Sequence, residues 1–224
     1  HVTPTIYSTK RGVVGVDINQ DHLAVVNVSA TGNLIKSFNI KYNLKHANKH
    51  QTKAMIGEVV KELCLYAAKV KKPIVIEDLD FTSKKKQMSA MKNVKRKFLL
   101  SAFAYGQITN NIQAKAFSLG IKVHKVNPAY TSIIGAIKYA GKDTSISRHQ
   151  GAALAIARRH LDFKEKIPKQ VNCISTSYGS HVSFKPLVKM VSNNSCEPWS
   201  LVNKVYQTTA RLYYLSMLTE QTKL

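Results

Sequence analysis

The chain has 224 residues and carries 34 Lys and Arg against 12 Asp and Glu, so its formal net charge at pH 7 is +22. With only three Cys, and no apolar run near the roughly 18 residues that a membrane span needs, it is neither a disulfide-stapled domain nor a membrane protein. Its 44% of hydrophobic residues can fill a core, and these exclusions leave a globular protein that is predicted to be cytoplasmic. Its charge predicts that the partner is a polyanion, above all nucleic acid.

The N-terminal part of the chain alternates apolar runs with short polar turns. Residues 1–11 are predicted to be a linker, and residues 12–17, 23–28 and 34–40 are β-branched runs of strand length. The turns between these runs are too short for a crossover connection, so each can join only two neighbouring antiparallel strands. This part of the chain is therefore predicted to form an antiparallel meander.

Helical spacing follows the meander. Apolar residues step by 4, 3, 4 and 3 from Ile56 to Val70, which predicts an amphipathic helix that ends at Lys71-Lys72-Pro73. The other predicted elements are a buried strand over 73–77, a long helix over 91–119 capped by Gly120, a strand over 121–126, a helix over 131–140 and a helix from Ser145 or Ser147 to Arg159.

The composition changes after Pro168, where Ser, Asn and Thr become frequent. Residues 169–197 are predicted to be irregular, and a terminal helix is expected over roughly 200–219 because apolar residues recur there at helical spacing. The chain is thus divided into a linker (1–11), one α/β domain (12–163) and a C-terminal extension (164–224).

Two acidic residues come directly after apolar strands. Asp17 ends the first predicted strand and Glu77 ends the fourth. If these strands are neighbours in a mixed sheet, both carboxylates emerge at the same edge, where hard oxygen ligands suit Mg²⁺ or Mn²⁺. The alternative is that each is merely a solvated acid at the end of a strand.

The order of three strands, helix, strand, helix, strand and helix is that of the ribonuclease H-like α/β fold. Three sequence blocks add a family resemblance: GVDINQDHLAVV (15–26), IVIEDLDF (74–81), and VNPAYTSIIGAIKY (126–139) leading into SRHQGAALAIARR (147–159). In order and spacing they resemble the transposon-encoded TnpB/OrfB proteins, whose RuvC-type nuclease domain is shared with type V CRISPR effectors. The resemblance spans about residues 12–163.

The resemblance implies a metal-dependent DNA endonuclease. In it Asp17 and Glu77 match the first two metal-binding acids, the metal is Mg²⁺ or Mn²⁺, and a guide RNA held by further modules selects the DNA. Typical members carry two CxxC pairs after the Thr131-Ser132 motif, whereas this chain has no Cys between Ser132 and Ser147, so no zinc is expected.

The third acid of the family is replaced by His149. A neutral imidazole can ligate a divalent ion, with a bias toward Mn²⁺ over Mg²⁺, so His149 is predicted to complete the site. The alternative is an exposed residue in the first turn of a helix. Asp143 is then the substitute third carboxylate, and Asp162, beyond the helix, is less well placed.

Residues 84–97 contain seven Lys or Arg and no acid. Such a run is typical of a surface that follows a phosphate backbone, although it also suits a solvated loop. The predicted nucleic-acid contacts are Lys84, Lys85, Lys86, Lys92, Lys95, Arg96, Lys97, Tyr130, Thr131, Ser132, Arg158 and Arg159.

Two other function classes remain open on the sequence. The first is a catalytically lapsed nucleic-acid-binding module of the same fold, which the replacement at His149 favours. The second is a structural basic protein of a ribonucleoprotein particle, which requires no shared site for Asp17 and Glu77. Metal-dependent cleavage distinguishes the nuclease from both.

Overall fold

The computed structural model describes residues 4–79, 92–140, 145–167, 174–175, 181–182, 199–200, 202–204 and 206–208. Its main sheet has five strands in the order β3-β2-β1-β4-β5. These strands are β1 (Val13–Ile18), β2 (His22–Val28), β3 (Leu34–Lys41), β4 (Ile74–Glu77) and β5 (Val123–Val126). The meander β1-β2-β3 is antiparallel, whereas β4 pairs in parallel with both β1 and β5. This topology confirms the ribonuclease H-like α/β fold.

Helices cover both faces of the sheet. They are α1 (Lys49–Val70), α2 (Lys92–Ser118), α3 (Thr131–Ile134), a π-helix (Gly135–Tyr139) and α4 (Arg148–His160). Alternate residues of β1 serve the two faces: Val14 and Val16 belong to a core with α1 and α2, and Val13 belongs to a core with α4. Within the described residues, no helix has the length and apolar content to cross a membrane.

Close backbone contacts fix the position of α4 against the sheet. A Cβ on Gly15 of β1 would lie 2.4 Å from the carbonyl oxygen of Ala153, and a Cβ on Gly151 would lie 2.6 Å from the carbonyl oxygen of Gly135. Only glycine permits this approach on either side of the helix. The N-terminal turn of α4 is therefore held against both β1 and the π-helix.

Two helices begin with the same capping arrangement. At α1 the Asn48 side chain accepts from the Gln51 amide while the Gln51 side chain accepts from the Asn48 amide, and Ser147 and Gln150 do the same at α4. These reciprocal bonds satisfy amides that a helix start leaves unpaired. Of the two residues predicted to begin the helix that ends near Arg159, Ser145 and Ser147, it is Ser147 that caps α4.

Two segments differ from their predicted form. The helix expected over 131–140 is divided, because Ala140 donates to the carbonyl of Gly135 across the wider turn of a π-helix. In the predicted linker, Ile6 forms a parallel bridge with Ile121 and packs against the core, and Thr9–Arg11 is a 3₁₀-helix.

Most of the C-terminal extension lies outside the described residues. Two short strands, β6 (Ile174–Ser175) and β7 (His181–Val182), pair there, and residues 199–200, 202–204 and 206–208 are helical. Trp199 is buried in a cluster with Ile133 and Ile134, and its indole nitrogen donates to the carbonyl of Glu165 at 2.6 Å. The extension thus packs against the α/β domain.

Glu165 is the anchor of this contact. Its side chain is only 5% exposed and binds Lys138 Nζ, Arg158 Nε (2.7 Å) and the hydroxyl of Tyr139 (2.7 Å). Burial raises the pKa of Glu165, but the hydrogen bonds from these three groups outweigh it and hold that pKa below its usual value. The carboxylate is therefore ionised in the folded protein, and it accepts hydrogen bonds from all three groups.

Glu165→Gln is expected to lower the free energy of unfolding by about 2–4 kcal/mol, because it leaves the half-buried Lys138 and Arg158 without their counter-charge. The measurement is a urea titration at pH 7. The matched control is Glu58→Gln, which removes an exposed carboxylate paired with Lys61 at 3.5 Å and should cost at most about 0.5 kcal/mol. Equal losses in both variants would contradict the anchoring role.

Two imidazoles are in contact between β5 and the end of α4, with their planes tilted by 32°. The rings of His124 and His160 have centroids 4.1 Å apart. Burial, and then the nearby charges of His160 and Lys122, lower the pKa of His124 to about 4, although a hydrogen bond with the Tyr7 backbone offsets part of this decrease. The unfolded chain therefore binds more protons than the folded chain between pH 4 and the ordinary pKa of about 6.5.

Stability is accordingly expected to fall as the pH is lowered through this range, by about 1–2 kcal/mol between pH 7 and 4.5 after allowing for the partial exposure of the ring. The measurement is the urea midpoint at each pH. His124→Phe keeps a ring and should reduce this slope by about half, since the pKa of His160 is also lowered by burial. His50→Phe, at an exposed position, should keep the parent slope.

Candidate active site

The two strand-end acids are brought together by the sheet register. Val14 pairs with Ile74 and Gly15 with Val75 in the parallel β1–β4 ladder. The same offset of 60 places Asp17 beside Glu77 at the carboxyl ends of these strands. Asp17 comes two residues after Gly15, and Glu77 two residues after Val75. Because alternate residues of a strand face the same side, both acids lie on the side of the sheet that α4 covers.

An open cleft of about 540 Å³ lies at this end of the sheet. Its walls include Asp17 of β1, Glu77 of β4 and His149 of α4, together with the loop after β5. The structure thus brings the three candidate catalytic residues to one cleft, from three separate elements.

Asp17 is 8% exposed and is held by two neighbours. Its Oδ2 accepts from Asn19 Nδ2 at 3.0 Å and lies 3.3 Å from Nδ1 of His149. An ionised carboxylate can only accept, so Nδ1 of His149 donates to Asp17. His149 therefore orients Asp17, and a neutral imidazole that donates from Nδ1 has the lone pair of Nε2 for a ligand.

A second histidine lies behind His149. The His22 ring meets it edge-on, with centroids 5.1 Å apart, and His22 Nδ1 is 2.7 Å from Asp21 Oδ1. The hydrogen bond from His22 lowers the pKa of Asp21. Sequence reasoning missed His22 and Asn19, although both occur in the 15–26 block that carries the resemblance.

Glu77 is positioned by the segment after β5. The hydroxyl of Thr131, which is 1% exposed, hydrogen-bonds Glu77 Oε1, and the Tyr105 hydroxyl donates to the Glu77 carbonyl at 2.9 Å. Burial, and then the charge of Glu77, raise the pKa of Tyr105. Tyr130 is left-handed at φ 65°, a costly conformation for a residue with a side chain, and it begins the turn that presents Thr131.

The donor set fits a hard divalent cation. Within the described ranges, no three His, Cys, Asp or Glu residues form a preassembled metal-binding group. Mg²⁺ does not need one, because it is commonly bound by one or two carboxylates together with substrate phosphates and water. Asp17 and Glu77 provide such a pair in the wall of an open cleft.

The predicted nucleic-acid contacts are placed differently from one another. Thr131 and Ser132 line the cleft, with Tyr130 beside them. Lys84, Lys85 and Lys86 lie outside the described residues, as do the side chains of Lys92, Lys95, Arg96 and Lys97, whose backbone forms the start of α2. The substitute acid Asp143 is also outside the described part, and Asp162 follows α4 without lining the cleft.

Arg158 and Arg159 have internal partners. Arg158 binds Glu165 and donates to the carbonyl of Gly32 at 2.7 Å. Arg159 donates to the carbonyls of Asn127 and, at 2.8 Å, Ala129, in the loop that forms one wall of the cleft. The structure therefore uses both guanidinium groups to hold the fold, and Arg159 to hold the cleft wall.

No protein-family model and no curated protein matches the chain. Among solved structures it is similar to Thermus thermophilus RuvC in complex with a Holliday junction substrate (18% identity, 66% of this chain, 90% of that chain, TM-score 0.48). A second T. thermophilus RuvC structure is 18% identical over 66% of this chain and 92% of that chain, with a TM-score of 0.44.

The chain is also similar to the Cas12f1 chain of a Cas12f1–sgRNA–target DNA complex. The identity is 17%, the match covers 69% of this chain and 51% of that chain, and the TM-score is 0.45. This chain therefore spans about half the length of Cas12f1.

Proposed function

We propose that the chain is a divalent-metal-dependent DNA nuclease domain of the RuvC type found in TnpB-like proteins. The observation that carries the proposal is the convergence of Asp17, Glu77 and His149 on one open cleft. In the wider TnpB-like family, a guide RNA held by further modules selects the DNA by base pairing.

Asp17 and Glu77 would hold Mg²⁺ or Mn²⁺. When bound, such an ion stabilises charge on a phosphate and makes water a better nucleophile. The protein groups do the positioning: Asn19 and His149 orient Asp17, and Thr131 orients Glu77. Arg148 and the N-terminal end of α4 add positive potential to the same cleft, which favours an anionic phosphate.

The substrate class follows from charge. A formal charge of +22 attracts a phosphate backbone over long distances, and the run at 84–97 adds positive charge close after the strand that carries Glu77. Lys outnumbers Arg in that run, which suits contact with phosphates more than recognition of bases. The proposed domain therefore binds strands with little preference for sequence.

The test is cleavage of labelled single-stranded and duplex DNA by the purified chain with Mn²⁺, Mg²⁺ or EDTA. We expect cleavage of single-stranded DNA with Mn²⁺ and, more slowly, with Mg²⁺, and none with EDTA, because the carboxylates act through the ion. Cleavage that persists in EDTA would contradict the proposed chemistry.

A nucleic-acid-binding module without catalysis is the second candidate. His149 at the third acidic position of the resemblance favours it, since one carboxylate fewer weakens a site for a hard cation. This function predicts salt-dependent DNA binding and no cleavage with either metal. The same assay, paired with a binding measurement, separates the two functions.

A further inference from the structure

A basic pocket lies at the opposite end of the sheet from the cleft. It is open, has a volume of about 570 Å³, and begins where β1 and β4 enter the sheet. Its wall includes Arg11, Asn27, Ile35, Lys69, Lys71 and Lys72. We call this the rear pocket.

Lys72 is the buried member of the rear pocket. It is 5% exposed, and its Nζ donates to Asn27 Oδ1 at 2.6 Å and to the Val28 carbonyl at 2.9 Å. Burial, and then the charge of Arg11, lower the pKa of Lys72. Among the described residues, no carboxylate pairs with any of the four cations of the pocket. Within this described part of the chain, the positive charge of the pocket has no acidic counterpart.

Helix capping explains only part of this cluster. Lys69 and Lys71 lie at the C-terminal end of α1, where positive charge is favourable. Arg11, however, belongs to the 3₁₀-helix before β1, and Lys72 extends to β2 rather than to the helix end. Residues from separate segments thus converge on one concave surface, as an anion site requires.

The rear pocket also has an apolar wall. Ile35 is 59% exposed on the edge strand β3 and lines the pocket beside the cations. Cations together with an exposed apolar side chain match the two parts of a nucleotide unit, a phosphate and a sugar or base. A pocket for a small inorganic anion needs no such apolar surface.

We propose that the rear pocket binds a backbone phosphate of a single-stranded nucleic-acid segment, with Arg11, Lys69, Lys71 and Lys72 toward the phosphate and Ile35 against the sugar or base. Four residue steps along β1, about 13 Å, separate Val13 at the pocket end of the strand from Asp17 at the cleft end. The inference deepens the proposed nucleic-acid function, but binding here does not depend on cleavage.

The test compares two sets of three substitutions, each made in the Asp17→Asn chain so that DNA is bound and not cut. The pocket variant is Arg11→Gln, Lys69→Gln and Lys71→Asn, where Asn suits the left-handed φ of 54° at position 71. The control is Lys53→Gln, Lys61→Gln and Lys115→Gln, three exposed lysines on α1 and α2. Both remove the same charge from exposed positions, so both should fold, which circular dichroism verifies.

The readout is the affinity for a labelled single-stranded oligonucleotide over a series of salt concentrations. We expect the pocket variant to lose about tenfold in affinity and about 1–2 units of the log–log salt slope, against at most about twofold and 0.5 units for the control. Equal changes in the two variants would overturn the inference. The proposed nuclease function is judged separately, by cleavage in the chain that retains Asp17.

A second arm identifies the source of the phosphate. Inorganic phosphate is added to the chain with and without the pocket substitutions, and the melting temperature is recorded. Stabilisation by the oligonucleotide that exceeds stabilisation by equimolar phosphate, and that the pocket substitutions reduce, supports a nucleic-acid site. Equal stabilisation by the two ligands would assign the pocket to small anions and overturn the proposal.

Discussion

Replacing Asp17 by Asn or Glu77 by Gln is expected to lower metal-supported DNA cleavage by about 10³-fold, equivalent to about 4 kcal/mol of transition-state stabilisation. Each substitution keeps the size of the side chain and removes the anionic oxygen that a hard cation prefers. The amide oxygens can still accept from Asn19 and Thr131, so the fold should be retained. The measurement is single-turnover cleavage of labelled single-stranded DNA with Mn²⁺.

The matched control is Asp78→Asn. Asp78 follows Glu77 directly, but its carboxylate is 64% exposed and pairs with Lys125 at 3.5 Å, outside the cleft wall. Its loss should change the rate by at most about twofold, because exposed ion pairs contribute little. Parent rates in Asp17→Asn, or an equal loss in Asp78→Asn, would show that the cleavage does not depend on this pair of acids.

The two acids could be predicted because a strand covered on both faces has to be apolar. Val75 and Ile76 are fully buried, so the charge at Glu77 marks the point where β4 leaves the core. The same holds for Val16 and Asp17 on β1. The helix between the meander and β4 provides the crossover that parallel pairing requires, which brings the two acids to one edge.

The groups that orient these acids could not be predicted in the same way. Thr131 lies 54 residues after Glu77, and its approach depends on the left-handed backbone of Tyr130 and on the glycine contact between the π-helix and α4. These are tertiary features that produce no periodic pattern. The sequence therefore indicated Thr131 as a nucleic-acid contact and gave no sign of its bond to Glu77.

The number of basic residues in a sequence does not predict which groups the arginines bind in the folded protein. Arg158 and Arg159 are predicted nucleic-acid contacts, and in the structure their guanidinium groups also bind Glu165 and the backbone carbonyls of other segments. Backbone carbonyls occur at every residue, so nothing in a sequence marks the ones that will accept from a guanidinium. Exposure of basic residues has to be taken from the structure, as for Arg11, Lys69 and Lys71.

His149→Asp is expected to raise the ratio of Mg²⁺- to Mn²⁺-supported cleavage by about tenfold, and His149→Ala to lower cleavage with either ion by about 10²-fold. His149 lies 3.3 Å from Asp17, so an Asp there places two carboxylates side by side. Without metal they repel, and a bound cation relieves the repulsion. The melting temperature of His149→Asp should therefore be lower than that of the parent and rise more on addition of Mg²⁺.

The chain offers a closely matched control in His50→Asp. His50 and His149 are both the second residue of a helix with a reciprocal Asn-Gln or Ser-Gln cap, and both follow a basic first residue. His50 is exposed on α1 and does not line the cleft, so the same charge change should alter neither the metal preference nor the response to Mg²⁺. An equal response in the two variants would place His149 outside the site and make Asp143 the next candidate. Cleavage found only in His149→Asp, with equal DNA binding in all variants, would instead identify the parent chain as a binding module, because one restored carboxylate would then be what separates binding from catalysis.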